Sequence, residues 1–287
     1  ESKLKRWVDV KDSATFMPAG LGGLLYGIDF GTIAAAMPYI RALGLFSDSQ
    51  LSVVVGAVLF GGIVSSLTAG VLSERFGRKR MIVASAALFL VAIPVVCLSS
   101  GSFAAMVVGR VLQGMSAGYM SVVMPMYLTE TLPPAIRGRG TGVFQFCLGL
   151  GLVLAATVGY VVAATFGESL KDLAWKVNFW WTMVPVAVLF FGALRLTESP
   201  VWLANRGQKT SDSGQPQTGP SGDSIIRRFD HSIISSRRFV VPFLLAVLVL
   251  TFNKTTGMSS ITSYSVVIFH KAGFAGSLGN VGDFAIK

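Results

Sequence analysis

The sequence predicts an all-α polytopic membrane protein. Three observations predict it: the composition, the length of the apolar stretches and the distribution of the basic residues. Of the 287 residues, 52% are hydrophobic and 13% are charged, whereas a soluble domain usually carries about 25% charged residues. The mean hydropathy is +0.65. A chain of this composition is expected to fold in lipid.

Seven apolar stretches are each long enough for a transmembrane helix of roughly 20 residues. They cover residues 14–38, 50–73, 80–99, 103–128, 140–165, 177–196 and 239–264. They are too many, and the first is too long, to be a signal peptide alone. The expected organisation is a cytoplasmic segment at 1–13, a six-helix bundle at 14–196, a cytoplasmic linker at 197–238, and a seventh helix with the outer loop after it at 239–287.

The net charge is +10, and the distribution of the basic residues along the chain matches the topology of these spans. If the N-terminus is cytoplasmic and the spans alternate in direction, the inner segments hold most of the lysines and arginines and the outer segments hold few. This asymmetry is the positive-inside rule, and it fixes the orientation. The basic balance therefore does not indicate a nucleic-acid partner.

Two stretches of the linker differ in composition. The stretch from Asn205, NRGQKTSDSGQPQTGPSGDS, is rich in Gly, Ser, Pro and Gln and predicts a flexible segment. The stretch SIIRRFDHSIISSRRF is basic and apolar. It is either a short amphipathic helix on the inner membrane face or a solvated basic linker.

An acid lies inside the first span, in LGGLLYGIDFGTIAAAMP, and a base lies inside the fourth. Asp29 is about 11 residues before the outer end of its span and Arg110 about 10 residues into its own, so both lie roughly 15 Å below the outer surface. A lone charge at that depth is costly, so the two are expected to pair. Gly23, Gly27 and Gly31 form a stripe about 200° away from Asp29. We expect these glycines to pack against one helix while Asp29 faces another helix or a cavity.

The residues alone leave two interpretations of Asp29 open. It is either half of a structural ion pair that orients two helices, or a functional carboxylate whose charge changes during a cycle. An intramembrane acid beside a cavity is typical of a proton relay, which favours the second interpretation.

Six motifs stand in order along the chain. They are GVLSERFGRKR between spans two and three, GRVLQGMSAG and PMYLTE in span four, RGRGTG before span five with FQFCLGLGLVLA inside it, TESPVWL after span six, and FNKTTGMSSITSYSVVIFHKAGF in and after span seven. Together they resemble the sugar porter family of the major facilitator superfamily. Glu74, Thr197 and Val201 stand where the family has Asp, Pro and Arg.

The resemblance implies a major facilitator fold, with seven of an expected twelve transmembrane helices present in this chain. It also implies a role for the acid, because proton-coupled members keep Asp in the first-helix motif, which reads YGIDFG here. By this resemblance Asp29 carries the coupling proton and Arg110 modulates its release.

The inner helix ends carry a set of charges that the resemblance assigns to a cytoplasmic gate. Its predicted members are Glu74, Arg75, Arg78, Glu130, Arg137, Arg139 and Glu198. Such charges either form a network that holds the inner side shut or anchor the helix ends at the interface.

The substrate residues follow from the family motifs of helices five and seven. They are Gln145, Asn253, Lys254, Ser259 and Tyr264. The helix-seven motif departs from the family, because Asn253, Lys254 and Ser259 replace two glutamines and an asparagine. In a water-filled cavity, Lys254 would either favour an acidic substrate or pair with a carboxylate such as Asp29. Alternatively, it lies at the outer mouth and extends to water.

The predicted function is secondary active transport, by alternating access, of a monosaccharide or polyol with protons. The alternatives are a carrier of another polar solute, anionic solutes included, and a non-transporting nutrient sensor. Cys97, Cys147, His231 and His270 have no metal-binding spacing, and no catalytic set or nucleotide motif is present, so no enzyme, metal or cofactor is expected. The expected partners are the solute, protons and the lipid bilayer, in the plasma membrane or an organellar membrane.

Overall fold

The structure is a computed structural model that describes residues 10–99, 101–134, 136–166 and 170–212, together with 245 and 248. Within the first four ranges, side chains are described from residue 20 to residue 206. The described residues are helical and include no strand. Apart from residues 245 and 248, the predicted seventh span lies outside this part of the chain.

Eight helices follow one another in the described ranges. They are α1 (Val10–Ala42), α2 (Asp48–Phe76), α3 (Arg78–Cys97), α4 (Phe103–Thr131), α5 (Arg137–Phe166), α6 (Lys171–Trp180), α7 (Met183–Leu194) and α8 (Pro200–Asp212). The first five predicted spans each form one helix. Most of these helices extend a few residues past the apolar stretch, since helical hydrogen bonding continues into the polar flanks.

The predicted sixth span is not one helix. It begins earlier than expected, at Lys171, and divides into α6 and α7 at Trp181 and Thr182. Pro185 explains the division, because proline has no amide hydrogen for the carbonyl of Trp181, four residues before it. That carbonyl accepts instead from the backbone N–H of Val184 at 3.2 Å.

The first part of the predicted linker is also helical, which corrects the expectation of a flexible segment from Asn205. Helix α8 runs through to Asp212 and belongs to a second compact unit that starts at Pro200. Proline is favoured at a first helical position, where its missing N–H would be unpaired anyway. One turn along, the guanidinium of Arg206 lies 5.0 Å from the ring centroid of Trp202, a cation–π contact that supports the helix.

Helix α4 lies at the centre of the first unit, where it packs against α1, α2, α3 and α5. Its contact with α2 is close because both helices present glycine. A side chain added at Gly114 would meet the backbone of Val58, and one added at Gly61 would meet the carbonyl of Val111. Small residues at such positions let two membrane helices approach backbone to backbone.

The glycine stripe of α1 packs as predicted from the helical wheel. Side chains added at Gly23 and Gly27 would meet the carbonyls of Phe144 and Leu148 on α5. Asp29 projects away from this contact and faces α4. The stripe and the acid therefore face two different neighbours.

Five segments in the described part of the chain are long and apolar enough to cross a membrane. They are Gly20–Ala42, Asp48–Phe76, Arg78–Cys97, Arg137–Phe166 and Lys171–Leu194. Helix α4 is not among them, although it is 29 residues long. Arg110 and Gln113 lower its hydropathy, and both are buried by neighbouring helices. A central helix can carry polar groups that a lipid-facing helix cannot.

Candidate functional site

An ion pair between α1 and α4 lies inside the helix bundle. Nη1 of Arg110 is 3.4 Å from Oδ1 of Asp29, and the two side chains are 2% and 1% exposed. The sequence places both residues at one depth, and the structure brings them into contact. Removing either partner would leave a buried charge without its counter-ion, which typically costs about 3–5 kcal/mol.

Arg110 has a second acceptor that the sequence analysis did not identify. Nη1 of Arg110 donates to Oε1 of Gln113 at 2.8 Å. Gln113 is buried and lies one turn further along α4. Residues three apart share one face of a helix, so the spacing of the two polar residues was a signal for this contact.

The face of the Arg110 guanidinium is covered by an aromatic ring from α6. Its central carbon lies 5.8 Å from the ring centroid of Phe179, which is within range of a cation–π contact. Three helices therefore hold Arg110: its own, α1 through Asp29, and α6 through Phe179.

The ion pair is incomplete. Oδ2 of Asp29 and Nε of Arg110 are buried and have no hydrogen-bond partner among the described residues. Oγ1 of Thr32 and Oδ1 of Asn178 are also buried without a hydrogen-bond partner among the described residues. Thr32 lies one turn after Asp29, and Asn178 precedes Phe179. Arginine and carboxylate frequently pair through two parallel hydrogen bonds, whereas this pair makes a single contact at 3.4 Å.

A second arginine–carboxylate pair lies at the inner ends of α3 and α4, and it is complete. Nε of Arg78 is 3.1 Å from Oε1 and 3.0 Å from Oε2 of Glu130, and Nη2 is 2.9 Å from Oε1. Nη1 of Arg78 donates to the carbonyl of Ser73 at 3.0 Å. Arg78 is buried, so this pair joins the two helix ends in a site shielded from solvent.

Two further residues extend this inner cluster. Oε1 of Glu74, one turn before Arg78, lies 3.2 Å from Nη2 of Arg78. The hydroxyl of Ser199 donates to Oε2 of Glu130 in a short hydrogen bond. The segment that follows α7 is thereby attached to the end of α4.

Glu198 joins the cluster through the backbone. Its Oε1 accepts the N–H of Lys79 at 2.9 Å and the N–H of Ser199 at 3.0 Å. The N-cap position of α3 is Gly77, which has no side chain to cap the helix. A carboxylate is stabilised at a helix N-terminus by the unpaired N–H groups and the helix dipole. Glu198 therefore caps α3 from a distant part of the chain.

The other three predicted gate residues have different surroundings. The guanidinium of Arg75 lies 5.6 Å from the ring centroid of Phe76. Nε of Arg137 donates to the carbonyl of Leu132 at 3.1 Å, which closes the turn between α4 and α5. Arg139 is exposed, near the start of α5.

The predicted substrate residues are only partly described. Gln145 is exposed on α5, at an inner-half position of that helix. Asn253, Lys254, Ser259 and Tyr264 lie outside the described residues, so their roles stay predictions. Among the described residues, no three His, Cys, Asp or Glu side chains lie close enough together to hold a metal ion.

Residues 15–286 match the family model described as "Sugar (and other) transporter". The chain belongs to this sugar transporter family. The predicted family is thus confirmed. With five apolar segments long enough to cross a membrane in the described part of the chain, the protein is an integral, multi-pass membrane protein.

Two curated relatives illustrate the similarity. The arabinose-proton symporter of Bacillus subtilis (strain 168) is 29% identical over 279 residues, which cover 92% of this chain and 60% of the relative. The glucose transporter GlcP of Staphylococcus epidermidis is 28% identical, over 93% of this chain and 61% of the relative. The chain thus spans about three fifths of the length of these relatives.

Among solved structures, the chain resembles XylE of E. coli, a proton:xylose symporter of the major facilitator superfamily, solved with a brominated glucose analogue. The TM-score is 0.74 at 22% identity, covering 93% of this chain and 64% of that one. At this identity the likeness establishes the fold alone. The predicted all-α major facilitator fold is confirmed.

Proposed function

We propose that the full-length protein is a secondary active transporter that carries a monosaccharide or a polyol together with protons. The observation that carries this proposal is the buried Asp29–Arg110 contact at the centre of the bundle. Proteins similar to this chain are named as arabinose-proton and proton:xylose symporters and as a glucose transporter, which supports the same substrate class.

In the proposed cycle Asp29 holds the coupling proton. When the carboxylate is charged, it attracts Arg110 and ties α1 to α4. When it takes a proton, this attraction is lost and α1 is free to shift relative to α4. The geometry supports such a switch, because one contact at 3.4 Å joins the two side chains. In addition, Oδ2 of Asp29 and Nε of Arg110 have no hydrogen-bond partner among the described residues.

The inner cluster around Arg78 is proposed as the cytoplasmic gate. Its contacts connect α2, α3, the end of α4 and the segment after α7, so they resist separation of these inner ends. We propose that all seven predicted residues contribute to this gate. Glu74, Arg78, Glu130 and Glu198 supply the contacts described above, and Arg75, Arg137 and Arg139 are proposed as further members at the inner helix ends.

The proposed solute site combines Gln145 with Asn253, Lys254, Ser259 and Tyr264. Amide and hydroxyl groups present both donors and acceptors, which match the hydroxyl groups of a sugar. Gln145 is available for this role, because its side chain is exposed on α5. The solute crosses the bilayer without chemical change, so no enzymatic activity is proposed.

Uptake by the full-length protein, in cells that lack their own hexose carriers, tests this function. Labelled arabinose, xylose, glucose, fructose and myo-inositol are supplied at acid and at neutral external pH, with and without a protonophore. We expect accumulation of at least one of these solutes that is faster at acid pH and collapses with the protonophore. Equal uptake with and without protonophore would identify a facilitative carrier instead.

Absence of uptake, with the protein shown to be at the membrane, would contradict the proposal. Acidic solutes, which the charge of Lys254 favours, would then be tested in the same cells. Binding of a solute to the purified protein without its movement into liposomes would indicate a sensor.

A further inference from the structure

One terminal nitrogen of Arg110 faces two acceptors at different distances. Nη1 lies 2.8 Å from Oε1 of Gln113 and 3.4 Å from Oδ1 of Asp29. The shorter of the two contacts is therefore made to a neutral amide on the same helix, and the longer one to the charged group on α1. All three side chains are buried.

We propose that Gln113 is a positioning residue that holds Arg110 in place when a proton neutralises Asp29, and thereby sets how acidic the medium must be for coupling. The effect on coupling rests on the proposed function. The positioning of Arg110 by Gln113 does not rest on the proposed function, because it can be measured in a protein that has no transport activity.

The physical reason is the cost of a buried cation that has lost its counter-ion. A neutral carboxyl group attracts the guanidinium far less than a carboxylate does, and burial leaves no bulk water to replace the lost interaction. Phe179 covers the face of the guanidinium but offers no hydrogen-bond acceptor in its plane. Among the described residues, the uncharged side-chain group that accepts a hydrogen bond from Arg110 is the amide oxygen of Gln113.

The placement of Gln113 suits this role. It is on α4, three residues after Arg110, so the two move together if α1 shifts away. Its carboxamide carries no charge at any pH relevant to transport, so it supports Arg110 in both states of Asp29. The other titratable group that faces Asp29 in the described chain is Tyr26, one turn earlier on α1.

Loss of Gln113 should shift the pH dependence of coupling in one direction. Without Gln113, the state with charged Asp29 keeps its ion pair, whereas the state with neutral Asp29 leaves Arg110 without a strong acceptor. Loss of Gln113 therefore disfavours protonation of Asp29. A higher proton concentration, and so a lower external pH, is then needed for the same rate of uptake.

A stability cycle tests the hold on Arg110. Gln113→Leu removes the amide at similar volume, and it is introduced into the full-length protein and into its Asp29→Asn variant, which mimics the neutral acid. We expect Gln113→Leu to lower the melting temperature by at least about 3 °C more in the Asp29→Asn background. Equal losses in the two backgrounds would overturn the proposal. Gln113→Met repeats the test with another apolar side chain, in case Leu packs badly.

The matched control is Ser121→Ala on the same helix. The hydroxyl of Ser121 donates to the carbonyl of Gly118 at 2.9 Å within α4. Its loss is therefore expected to have the same effect in the unaltered protein and in the Asp29→Asn variant.

A transport measurement tests the effect on coupling. The external pH of half-maximal solute uptake is compared between the full-length protein and Gln113→Leu. We expect the midpoint to move about one unit to the acid side, equivalent to a tenfold higher proton concentration. No shift, or a shift to the alkaline side, would overturn the coupling role. If uptake by the unaltered protein does not depend on pH, the proposed function fails, and the stability cycle still decides the role of Gln113.

Discussion

Arg78 binds Glu130 through both carboxylate oxygens, with Nε 3.1 Å from Oε1 and 3.0 Å from Oε2. The other buried arginine of the described bundle, Arg110, meets its acid through one contact at 3.4 Å. The two pairs therefore differ in hydrogen-bond geometry. A bidentate pair fixes two helix ends, whereas a single long contact can exchange with another acceptor. This difference fits the two roles proposed above, a cytoplasmic gate for the Arg78 cluster and a switch for the Asp29–Arg110 pair.

The first prediction concerns the inner gate. Glu130→Ala leaves Arg78 buried with one remaining carboxylate contact, to the exposed Glu74. We expect a loss of about 3–5 kcal/mol in the free energy of unfolding. Chemical unfolding of the purified full-length protein, followed by helical circular dichroism, measures this loss.

Glu74→Ala is the matched control for Glu130→Ala. The Glu74 side chain is 69% exposed and lies 3.2 Å from the same nitrogen of Arg78. Because the Glu74 carboxylate is largely solvated, its contact with Arg78 should contribute about 0.2–1 kcal/mol, as exposed ion pairs do. The loss should therefore be several-fold smaller than for Glu130→Ala. Similar losses of unfolding free energy for the two variants would show that the bidentate Arg78–Glu130 contact is not the main stabilising interaction of the cluster.

The second prediction concerns proton coupling. Asp29→Asn keeps the size of the side chain but cannot carry the proton. We expect proton-driven accumulation of the solute to fall at least tenfold. Exchange of labelled for unlabelled solute across the membrane needs no net proton movement, so it should continue. Both rates are measured in proteoliposomes with an imposed pH gradient.

An exposed acid at a helix end provides the control for this experiment. Asp48→Asn removes an exposed carboxylate that pairs with Arg41 at 2.7 Å, at the outer start of α2. Accumulation by this variant should equal that of the unaltered protein. Accumulation that survives in Asp29→Asn would assign the proton to another residue.

The sequence predicted two features of α1: the pairing of Asp29 with Arg110 and the packing of the glycine stripe against a different helix. Helical periodicity separates the face of Gly27 from that of Asp29, and depth alone matches Asp29 to Arg110. Both features follow from where a residue lies along its own helix, and this position can be counted directly in the sequence. The division of the sixth span was missed, although Pro185 was visible, since many membrane helices tolerate proline by local adjustment.

Other features could not be read from sequence because they depend on tertiary geometry. Glu198 caps α3 from more than a hundred residues away, and nothing in the local sequence of α3 indicates a remote cap. The distances from Arg110 to Gln113 and to Asp29 decide which acceptor dominates, and they follow from the packing of α1, α4 and α6. Spacing restricts the possible partners, and packing selects among them.

The third prediction tests the close contact of α1 with α5. A side chain added at Gly27 would meet the carbonyl of Leu148 and the backbone N of Leu152. Because backbone cannot move aside as a side chain does, Gly27→Ala should separate the two helices and cost about 1–3 kcal/mol. Denaturant unfolding of the full-length protein measures the cost.

A glycine adjacent to the same contact serves as its control. Gly149 on α5 has open space at the position of an added side chain. Alanine also has the higher helix propensity, so Gly149→Ala should leave stability unchanged or raise it by up to about 1 kcal/mol. An equal loss at both positions would mean that the effect at Gly27 is not steric.

The last prediction concerns the start of α3. Gly77 has a φ of 98°, a conformation that costs a residue with a side chain about 1–3 kcal/mol. A side chain there would also meet the carboxylate of Glu198. Gly77→Ala should therefore strain the turn and displace the cap of Lys79, and we expect a loss of about 2–4 kcal/mol from the two effects together. The loss is measured as the change in unfolding free energy of the full-length protein.

Further variants separate these two effects. Glu198→Gln keeps an acceptor oxygen for the N–H of Lys79 but removes the charge at the helix N-terminus, so its loss should be about 0.3–1 kcal/mol. Gly56→Ala, at a helical position of α2 with open space around it, should cost nothing. If Gly77→Ala in the Glu198→Ala background is as damaging as in the unaltered protein, backbone conformation accounts for the whole loss. If the damage disappears, the collision with Glu198 accounts for it, and the turn itself tolerates alanine.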